Sequence, residues 1–265
     1  MGVSRIEERF ARSRKKTALV VYLTVGDPSV DDTLACALAA LEAGADALEL
    51  GVPFSDPTAD GPVIAAAAYR AIHQGGSLRA ALGVAEAIRK TRQEPLILFT
   101  YFNPIVAYGE EALVAAADRA GVDGFLVVDL PPEEGATLRA AAQNQKLAMI
   151  PLVAPTTDRE REPRVLSGAS GFIYYVSVTG VTGAKAPLAE AGRDAAALRA
   201  RAGLPVVIGF GIRTPDDART AASAGVDGVV VGTEVVRVMA EATTREARCA
   251  AVAGLVGRLR AGLDA

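Results

Sequence analysis

Eight continuous runs of apolar residues recur along the chain. Continuous runs, as opposed to alternating ones, are typical of parallel strands whose two faces are both covered by other elements. The pattern therefore predicts eight buried parallel strands. The runs lie near residues 18–24, 46–51, 95–101, 124–129, 147–153, 171–177, 205–209 and 227–232.

Alanine-rich segments with helical spacing lie between the runs and predict the intervening helices. The longest gap, between the second and third strands, predicts an additional helix near 62–73. An amphipathic segment near 3–14 predicts an extra N-terminal helix that covers the bottom of the fold. The other predicted helices lie near 30–43, 77–92, 109–120, 133–143, 190–202 and 215–224.

Eight strand–helix units in about 250 residues match the size of a (β/α)8 TIM barrel. A doubly wound open sheet is the alternative, but it usually has fewer strands and carries a glycine-rich fingerprint after its first strand. The residues that follow 18–24 contain no such fingerprint. Because we find neither a linker nor a low-complexity tail, we predict one barrel domain over residues 1–265.

A short internal repeat supports this division into strand–helix units. Residues 43–50, 120–127 and 224–231 share an Ala-Gly-x-Asp start followed by apolar residues, and 167–174 is a looser copy. Each copy is typical of a helix end, a glycine C-cap, a short turn and a buried strand.

Composition and charge exclude several classes of function. The 265 residues carry a formal net charge of −3, and lysine and arginine are scattered, so nucleic acid is not an expected partner. No apolar run approaches the roughly 18 residues that a membrane span needs. Cys36 and Cys249 are the only cysteines and are interpreted as small buried apolar residues, which suits a reducing cytoplasm.

Two carboxylates stand out within residues 48–62. Glu49 lies inside an apolar strand, where a charge is unfavourable unless it is paired or used. Asp60 lies in the following loop, and a barrel collects active groups at the ends of its strands. We predict that they form an acid and a base, as carboxylates in different surroundings do. A buried ion pair remains the alternative for Glu49, and simple turn chemistry remains the alternative for Asp60.

Glycines at three strand ends indicate a phosphate site. They lie in Gly180–Gly183, Gly209–Gly211 and Gly232-Thr233. Barrels commonly bind phosphate after strands 7 and 8 through backbone N–H groups and a helix N-terminus. Glycine also ends barrel strands without any ligand, so that alternative stays open. The loop 178–186 is interpreted as a lid over the substrate, with an ordinary long loop as the alternative.

Missing motifs narrow the chemistry further. His73 is the only histidine and lies in a predicted helix, which disfavours a Ser-His-Asp triad and a histidine metal site. There is no P-loop, and no lysine lies within a predicted strand to form a Schiff base. The residues by themselves predict a phosphate-binding barrel, an isomerase or aldolase acting on a phosphosugar-like substrate, without metal or cofactor.

Five segments resemble the α subunits of tryptophan synthase, and the resemblance extends over essentially the whole chain. The first and fourth of these motifs are highly specific. They are LELGVPFSDPTADGP (48–62), TYFNPI (100–105), DLPPEE (129–134), GFIYYVSVTGVTG (171–183) and GFGI (209–212).

The resemblance implies a lyase that cleaves indole-3-glycerol phosphate into indole and glyceraldehyde 3-phosphate without a cofactor. It implies that Glu49 protonates C3 of the indole and assists deprotonation of the glycerol hydroxyl. Asp60 would hold the indole N–H, and Tyr174 would lie near the glycerol chain. The remaining substrate-binding residues implied are Tyr22, Ile64, Thr100, Asp129, Thr182, Gly183, Phe210, Gly211, Gly232 and Thr233.

The resemblance also implies a partner. Family members work as an α2β2 complex in the cytoplasm, and the β subunit receives indole through a tunnel. The implied contact surface comprises Pro53, Asp56, Asn103, Pro104, Pro131 and Pro132. Two alternatives remain open: a stand-alone lyase without a β partner, and a catalytically dead barrel that binds and activates a partner.

Overall fold

The computed structural model describes residues 2–12, 17–176, 188–209 and 211–265. Its strands form one parallel sheet with the order β5-β4-β3-β2-β1-β9-β8-β7-β6. The strands are β1 (Ala18–Thr24), β2 (Ala47–Gly51), β3 (Leu96–Thr100), β4 (Gly124–Val127), β5 (Ala148–Met149), β6 (Leu152–Val153), β7 (Ile173–Tyr175), β8 (Val206–Ile208) and β9 (Gly228–Val231).

The single strand predicted over 147–153 is two short strands, β5 and β6. Pro151 lies between them and has no N–H to donate to a neighbouring strand. The first half pairs with β4 and the second half pairs with β7. The two ends of the sheet are therefore joined by the chain itself at Ile150-Pro151, and the predicted (β/α)8 barrel is confirmed, with its fifth strand divided.

The helices lie outside the strands. One of them precedes β1, and two lie between β2 and β3. The helices are α1 (Gly2–Arg12), α2 (Val30–Glu42), α3 (Pro62–His73), α4 (Leu78–Arg89), α5 (Phe102–Tyr108), α6 (Glu110–Ala120), α7 (Ala136–Asn144), α8 (Glu162–Val165), α9 (Leu188–Ala202), α10 (Pro215–Ser223), α11 (Thr233–Glu241) and α12 (Arg245–Asp264). Within the described parts of the chain, no helix is both long and apolar enough to cross a membrane.

The apolar core has two parts, because successive side chains of a strand point to opposite faces. One part lies between strands and helices, and includes Leu19, Val21 and Leu23 of β1. The other part fills the barrel interior, and includes Val20 and Tyr22 of the same strand. α1 adds two side chains to the lower end of this interior cluster, including Phe10, whose ring centroid lies 5.4 Å from that of Phe172.

The internal repeat has a structural purpose at the N-terminal end of the barrel. In the three close copies, the aspartate just before a strand accepts a hydrogen bond from the backbone N–H at or near the start of the preceding strand. In the looser copy, Ser170 accepts such a bond from Met149 of β5. A side chain of one unit thus fixes the neighbouring unit. The bonds run from Leu19 to Asp46 (2.7 Å), from Leu96 to Asp123 (2.8 Å), from Val206 to Asp227 (2.9 Å) and from Met149 to Ser170 (3.1 Å).

Each of the three aspartates is also paired with arginine. Asp123 is fully buried and binds two guanidinium groups, as does the buried Asp46, whereas Asp227 binds one. Arginine is well suited to such pairs because its planar group donates several hydrogen bonds in fixed directions. The pairs are Asp46 with Arg9 and Arg260, Asp123 with Arg5 and Arg89, and Asp227 with Arg199.

The two cysteines meet between α2 and α12. The sulfur atoms of Cys36 and Cys249 lie 3.9 Å apart, and both thiols are free. Cys36 is buried and Cys249 is half-buried. Burial raises the pKa of the Cys36 thiol to about 12, so the thiol is uncharged at neutral pH.

Candidate active site

Glu49 lies in the middle of β2 and faces the barrel interior. Its neighbours Leu48 and Leu50 belong to the outer cluster, and side chains alternate along a strand, so Glu49 points the other way. Its register partners are Tyr22 on β1 and Ile97 on β3, both members of the interior cluster. The sequence thus places one carboxyl group inside an apolar barrel.

The carboxyl group of Glu49 is fully buried, and neither oxygen has a hydrogen-bond partner among the described residues. Burial raises its pKa to about 8, because desolvation disfavours the charged form. At neutral pH the group is therefore mostly protonated and can donate a proton. A lone buried carboxyl group without a partner destabilises the fold, which is the usual mark of a group kept for chemistry.

Asp60 is half-buried on the loop between β2 and α3 and is held there by Tyr101. The Tyr101 hydroxyl donates to Asp60 Oδ2 over 3.1 Å and accepts a bond from the Ala59 backbone N–H over 2.9 Å. The Tyr101 ring also lies 5.2 Å from the ring of Phe54. One residue after β3 therefore fixes the loop that carries the second carboxylate.

The two carboxyl groups have different surroundings. Burial raises the pKa of Asp60, and the hydrogen bond from Tyr101 opposes that rise by stabilising the charged form. Glu49 has no such bond. The surroundings therefore differ: burial alone acts on Glu49, whereas a hydrogen bond supports the negative charge of Asp60. The predicted division into an acid and a base requires such a difference.

Tyr174 projects from β7 into the same interior. Its hydroxyl donates to the backbone carbonyl of Gly209 over 3.3 Å. A Cβ atom at Gly209 would overlap the Tyr174 ring, so glycine is required there to seat the tyrosine. Burial raises the pKa of Tyr174 well above its ordinary value, which keeps the hydroxyl protonated.

Tyr22 lies against β2 beside Glu49. Its hydroxyl accepts a hydrogen bond from Thr24 over 3.3 Å, and its ring meets Phe99 edge to face with centroids 5.2 Å apart. A Cβ atom at Gly51 would overlap the Tyr22 ring and hydroxyl. The glycine at the end of β2 therefore leaves the space that the Tyr22 side chain occupies.

These groups surround one cavity of about 270 Å³ at the C-terminal end of the strands. Its middle is apolar, with Phe99, Val128 and Leu152, and one end is formed by glycine backbone and the start of α11. Eight of the residues predicted to form the site line this cavity: Tyr22, Glu49, Asp60, Ile64, Tyr174, Gly211, Gly232 and Thr233.

Two predicted residues do not line this cavity. Thr100 is fully buried and its hydroxyl donates to the Tyr101 carbonyl over 3.1 Å. Asp129 lines a neighbouring cavity of about 390 Å³ on the far side of Val128, and its carboxylate accepts the Phe102 N–H at the start of α5 over 2.6 Å. Neither side chain lines the cavity as the structure describes it, and the expectation that both contact substrate stays a prediction.

Three predicted residues, Thr182, Gly183 and Phe210, lie outside the described residues, as does the loop 178–186 that was interpreted as a lid. Two residues that sequence reasoning did not select belong to the site. Tyr101 holds Asp60, and Arg213 lines the cavity beside Gly211. The TYFNPI motif drew attention to Tyr101, but nothing in the sequence pointed its hydroxyl at Asp60.

Metal-binding residues do not gather in the parts of the chain that the structure describes. No three histidine, cysteine, aspartate or glutamate side chains there are placed to hold a metal ion. His73 ends α3 on the outside of the barrel, where its ring lies tilted against that of Tyr69 with centroids 4.5 Å apart. The cavity itself offers two carboxyl groups for proton transfer or an ionic contact, and glycine backbone at one end.

Comparison with known proteins identifies close relatives. A family model described as the tryptophan synthase alpha chain matches residues 9–262. The tryptophan synthase alpha chain of Geotalea daltonii is 46% identical over 99% of this chain and 100% of its own length. That of Geobacter sp. (strain M21) is 48% identical over 89% of each chain.

Solved structures share the fold of this chain. The tryptophan synthase alpha subunit of Legionella pneumophila superposes with a TM-score of 0.90 at 36% identity, covering 98% of both chains. A chain of the aminoacrylate-bound tryptophan synthase from M. tuberculosis superposes with a TM-score of 0.87 at 32% identity, covering 98% of this chain and 99% of that one.

Proposed function

The chain belongs to the tryptophan synthase alpha chain family, and from that membership we propose that Glu49 and Asp60 carry out its reaction. The protein is a lyase that cleaves indole-3-glycerol phosphate into indole and glyceraldehyde 3-phosphate. The observation that carries the assignment of residues is the Glu49 carboxyl group, which is fully buried, faces the cavity and has no partner among the described residues.

Glu49 acts first as an acid. The bond between the indole ring and the glycerol chain breaks only after C3 of the ring gains a proton, which converts the ring to its indolenine form. A carboxyl group with a pKa of about 8 holds that proton at neutral pH. The resulting carboxylate then accepts the proton of the glycerol hydroxyl. The hydroxyl oxygen becomes the aldehyde oxygen, and the electrons of the broken carbon–carbon bond restore the aromatic ring.

Asp60 supports the same step from the ring nitrogen. Protonation at C3 places positive charge on the ring, and a carboxylate that accepts the indole N–H stabilises that charge. Tyr101 supports the proposal, because its hydroxyl holds Asp60 Oδ2 and favours the ionised form. An apolar cavity strengthens this electrostatic contact relative to water.

The rest of the cavity accounts for binding. Tyr22 and Ile64 would contact the flat indole ring, and Tyr174 would lie near the glycerol chain. Backbone at Gly211, Gly232 and Thr233 would hold the phosphate, because a helix N-terminus presents unpaired N–H groups to an anion. Thr182, Gly183 and Phe210 remain proposed contacts on the strength of the family resemblance. Thr100 and Asp129 remain proposed contacts on the same ground, although neither lines the cavity.

The protein works with the β subunit of tryptophan synthase, and we assign the contact to the surface around α5. Asp56 and Asn103 are exposed there, Pro104, Pro131 and Pro132 are half-buried, and Pro53 is buried. Pro53 is therefore a support for the surface and not a contact. An α2β2 complex, a single domain over the whole chain and a cytoplasmic location complete the proposal.

One assay tests the function directly. Purified chain is incubated with indole-3-glycerol phosphate, and indole and glyceraldehyde 3-phosphate are measured with and without a β subunit. We expect both products in equal amounts and a higher rate with the β subunit. An unchanged rate on adding the β subunit would favour the stand-alone lyase, and absence of indole in the presence of β-subunit activation would favour the dead barrel.

A further inference from the structure

One basic side chain belongs to the wall of the active-site cavity as the structure describes it. Arg213 lines this cavity together with two carboxylic acids, Glu49 and Asp60. It follows Gly211 and Ile212 and directly precedes Thr214, the N-cap of α10. Its position in the chain places it beside the backbone proposed to hold phosphate.

The main chain of Arg213 is held in place while its side chain is free. Its backbone N–H donates to Asp217 Oδ2 over 3.1 Å, within the capping box that starts α10. Its guanidinium forms no hydrogen bond or ion pair with any described residue. The guanidinium of Arg219 in α10, by contrast, forms an ion pair with Asp216 over 2.6 Å.

The positive charge of Arg213 acts electrostatically on the start of α11. The pKa of Glu234 in the first turn of α11 is lowered mainly by a hydrogen bond from Arg237, and the positive charge of Arg213 contributes to the same shift. Thr233 and Gly232, which come just before Glu234 in the chain, line the cavity. The guanidinium therefore lies in the electrostatic neighbourhood of the proposed phosphate cradle.

We infer that Arg213 binds the phosphate of the substrate and sets the affinity for it. The inference rests on the function proposed above and extends it, because that function assigned phosphate binding to backbone alone. A phosphate dianion enters a cavity that already holds the negative Asp60, so a nearby cation offsets the repulsion between them. A guanidinium matches phosphate oxygens with two parallel N–H bonds.

The exposure of Arg213 determines what kind of effect to expect. An exposed charge contributes modestly and is screened by salt. The phosphate does not change during carbon–carbon cleavage, so the contact is equally strong in substrate and transition state. Such uniform binding changes KM and leaves kcat unchanged.

The experiment compares Arg213→Ala, Arg213→Lys and the control Arg219→Ala, an exposed arginine of the same region that does not line the cavity. For Arg213→Ala we expect KM for indole-3-glycerol phosphate to rise about tenfold, with kcat within twofold of wild type. KM should also lose part of its dependence on salt. Arg213→Lys should recover part of the affinity, and Arg219→Ala should match wild type.

Two further measurements separate this inference from the function itself. Binding of inorganic phosphate, followed by calorimetry, should weaken in Arg213→Ala whether or not indole is formed. Indole-3-glycerol without phosphate should react equally poorly with wild type and Arg213→Ala. Unchanged phosphate affinity in Arg213→Ala, an equal loss in Arg219→Ala, or a fall in kcat without a rise in KM would each overturn the inference.

Discussion

Glu49 and Asp123 are both carboxylic acids that solvent cannot reach, yet the protein treats them in opposite ways. Asp123, at the N-terminal end of β4, accepts bonds from Arg5 over 2.6 Å, from Arg89 over 2.8 Å and from the Leu96 N–H over 2.8 Å. Glu49, facing the cavity, accepts none from the described residues. Burial alone therefore does not separate a structural carboxylate from a catalytic one, whereas the set of partners does.

The same contrast divides the two ends of the barrel. At the N-terminal end, the repeated aspartates are neutralised by arginine and tied to backbone, which stabilises the packing of neighbouring units. At the C-terminal end, the carboxyl groups are left with one weak partner or none, which keeps them reactive at the expense of stability. This division is the one expected of a barrel enzyme, where catalysis and stability occupy opposite faces.

Replacing Glu49 by Gln should have the largest effect. The amide has the same shape but can neither donate a proton to carbon nor accept one from the hydroxyl, so indole formation should fall about 10⁴-fold, the upper range for a general acid–base group. Single-turnover assays measure the loss, and calorimetry with inorganic phosphate checks that binding persists. Turnover within tenfold of wild type would remove Glu49 from the mechanism.

Titration of Glu49 should make the free energy of unfolding depend on pH, and the Glu49→Gln variant should lack this contribution. The folded pKa of about 8 exceeds the unfolded value of 4.5, so its contribution to stability is complete below pH 4.5 and is lost as pH rises to 8. At 1.36 kcal/mol per pH unit, wild type should lose on the order of 4–5 kcal/mol relative to Glu49→Gln over this range. Urea unfolding of both proteins at several pH values measures the difference, and parallel curves would contradict it.

Replacing Asp123 by Ala should destabilise the fold and leave the residues of the active-site cavity in place. Removal of the carboxylate leaves the half-buried Arg5 and Arg89 without their buried partner, and breaking such a pair costs about 3–5 kcal/mol. Urea unfolding measures the loss. The exposed Asp118→Ala on α6 serves as control and should change stability by less than about 0.5 kcal/mol. Equal effects in the two variants would mean that the buried network does not stabilise the barrel.

Asp60→Asn should lower the rate by about 10²-fold, because the amide keeps the loop geometry but loses the negative charge opposite the indole nitrogen. Steady-state assays of the chain alone measure kcat. Asp56→Asn, an exposed change in the same loop, provides the control and should keep normal turnover without the β subunit. A loss below threefold for Asp60→Asn would reduce Asp60 to a turn residue.

Tyr101→Phe should have the smallest effect, a loss of a few-fold in kcat. The hydrogen bond from Tyr101 lowers the pKa of Asp60, so its removal should raise that pKa. The acidic limb of the pH–rate profile should therefore move to higher pH, which a purely structural role for Tyr101 would not produce. A profile that only scales down, with both limbs in place, would show that Tyr101 merely packs the loop against Phe54.

Much of the fold was predictable because continuous apolar runs mark buried parallel strands; β1 spans the predicted residues 18–24. The prediction was wrong where one residue decided the outcome: Pro151 divides the fifth strand inside an otherwise apolar run. The short helices α5 and α8 were missed because seven and four residues are too few to show a helical period.

The candidate site, like the fold, was predictable only in part. Glu49 was predictable because a charge in an apolar strand is conspicuous, whereas Tyr101 and Arg213 were not, since their roles depend on where a loop folds back and where a flexible side chain reaches. For Thr100 and Asp129, the predicted contact with substrate stays a prediction. Both lie at predicted strand ends, but their side chains bond to the backbone of the loop that starts α5.

The aspartates of the repeat also bear on how the chain could be cut or rearranged. Asp46 depends on the Leu19 N–H and on Arg9 and Arg260, which come from opposite ends of the chain. A fragment that starts after β1 would lose Arg9 and the Leu19 N–H, and one that stops before α12 would lose Arg260, so each would leave this buried carboxylate without some of its partners. We therefore expect no half-barrel of this protein to fold by itself, whereas a circular permutant that keeps all units should tolerate new termini in an exposed loop.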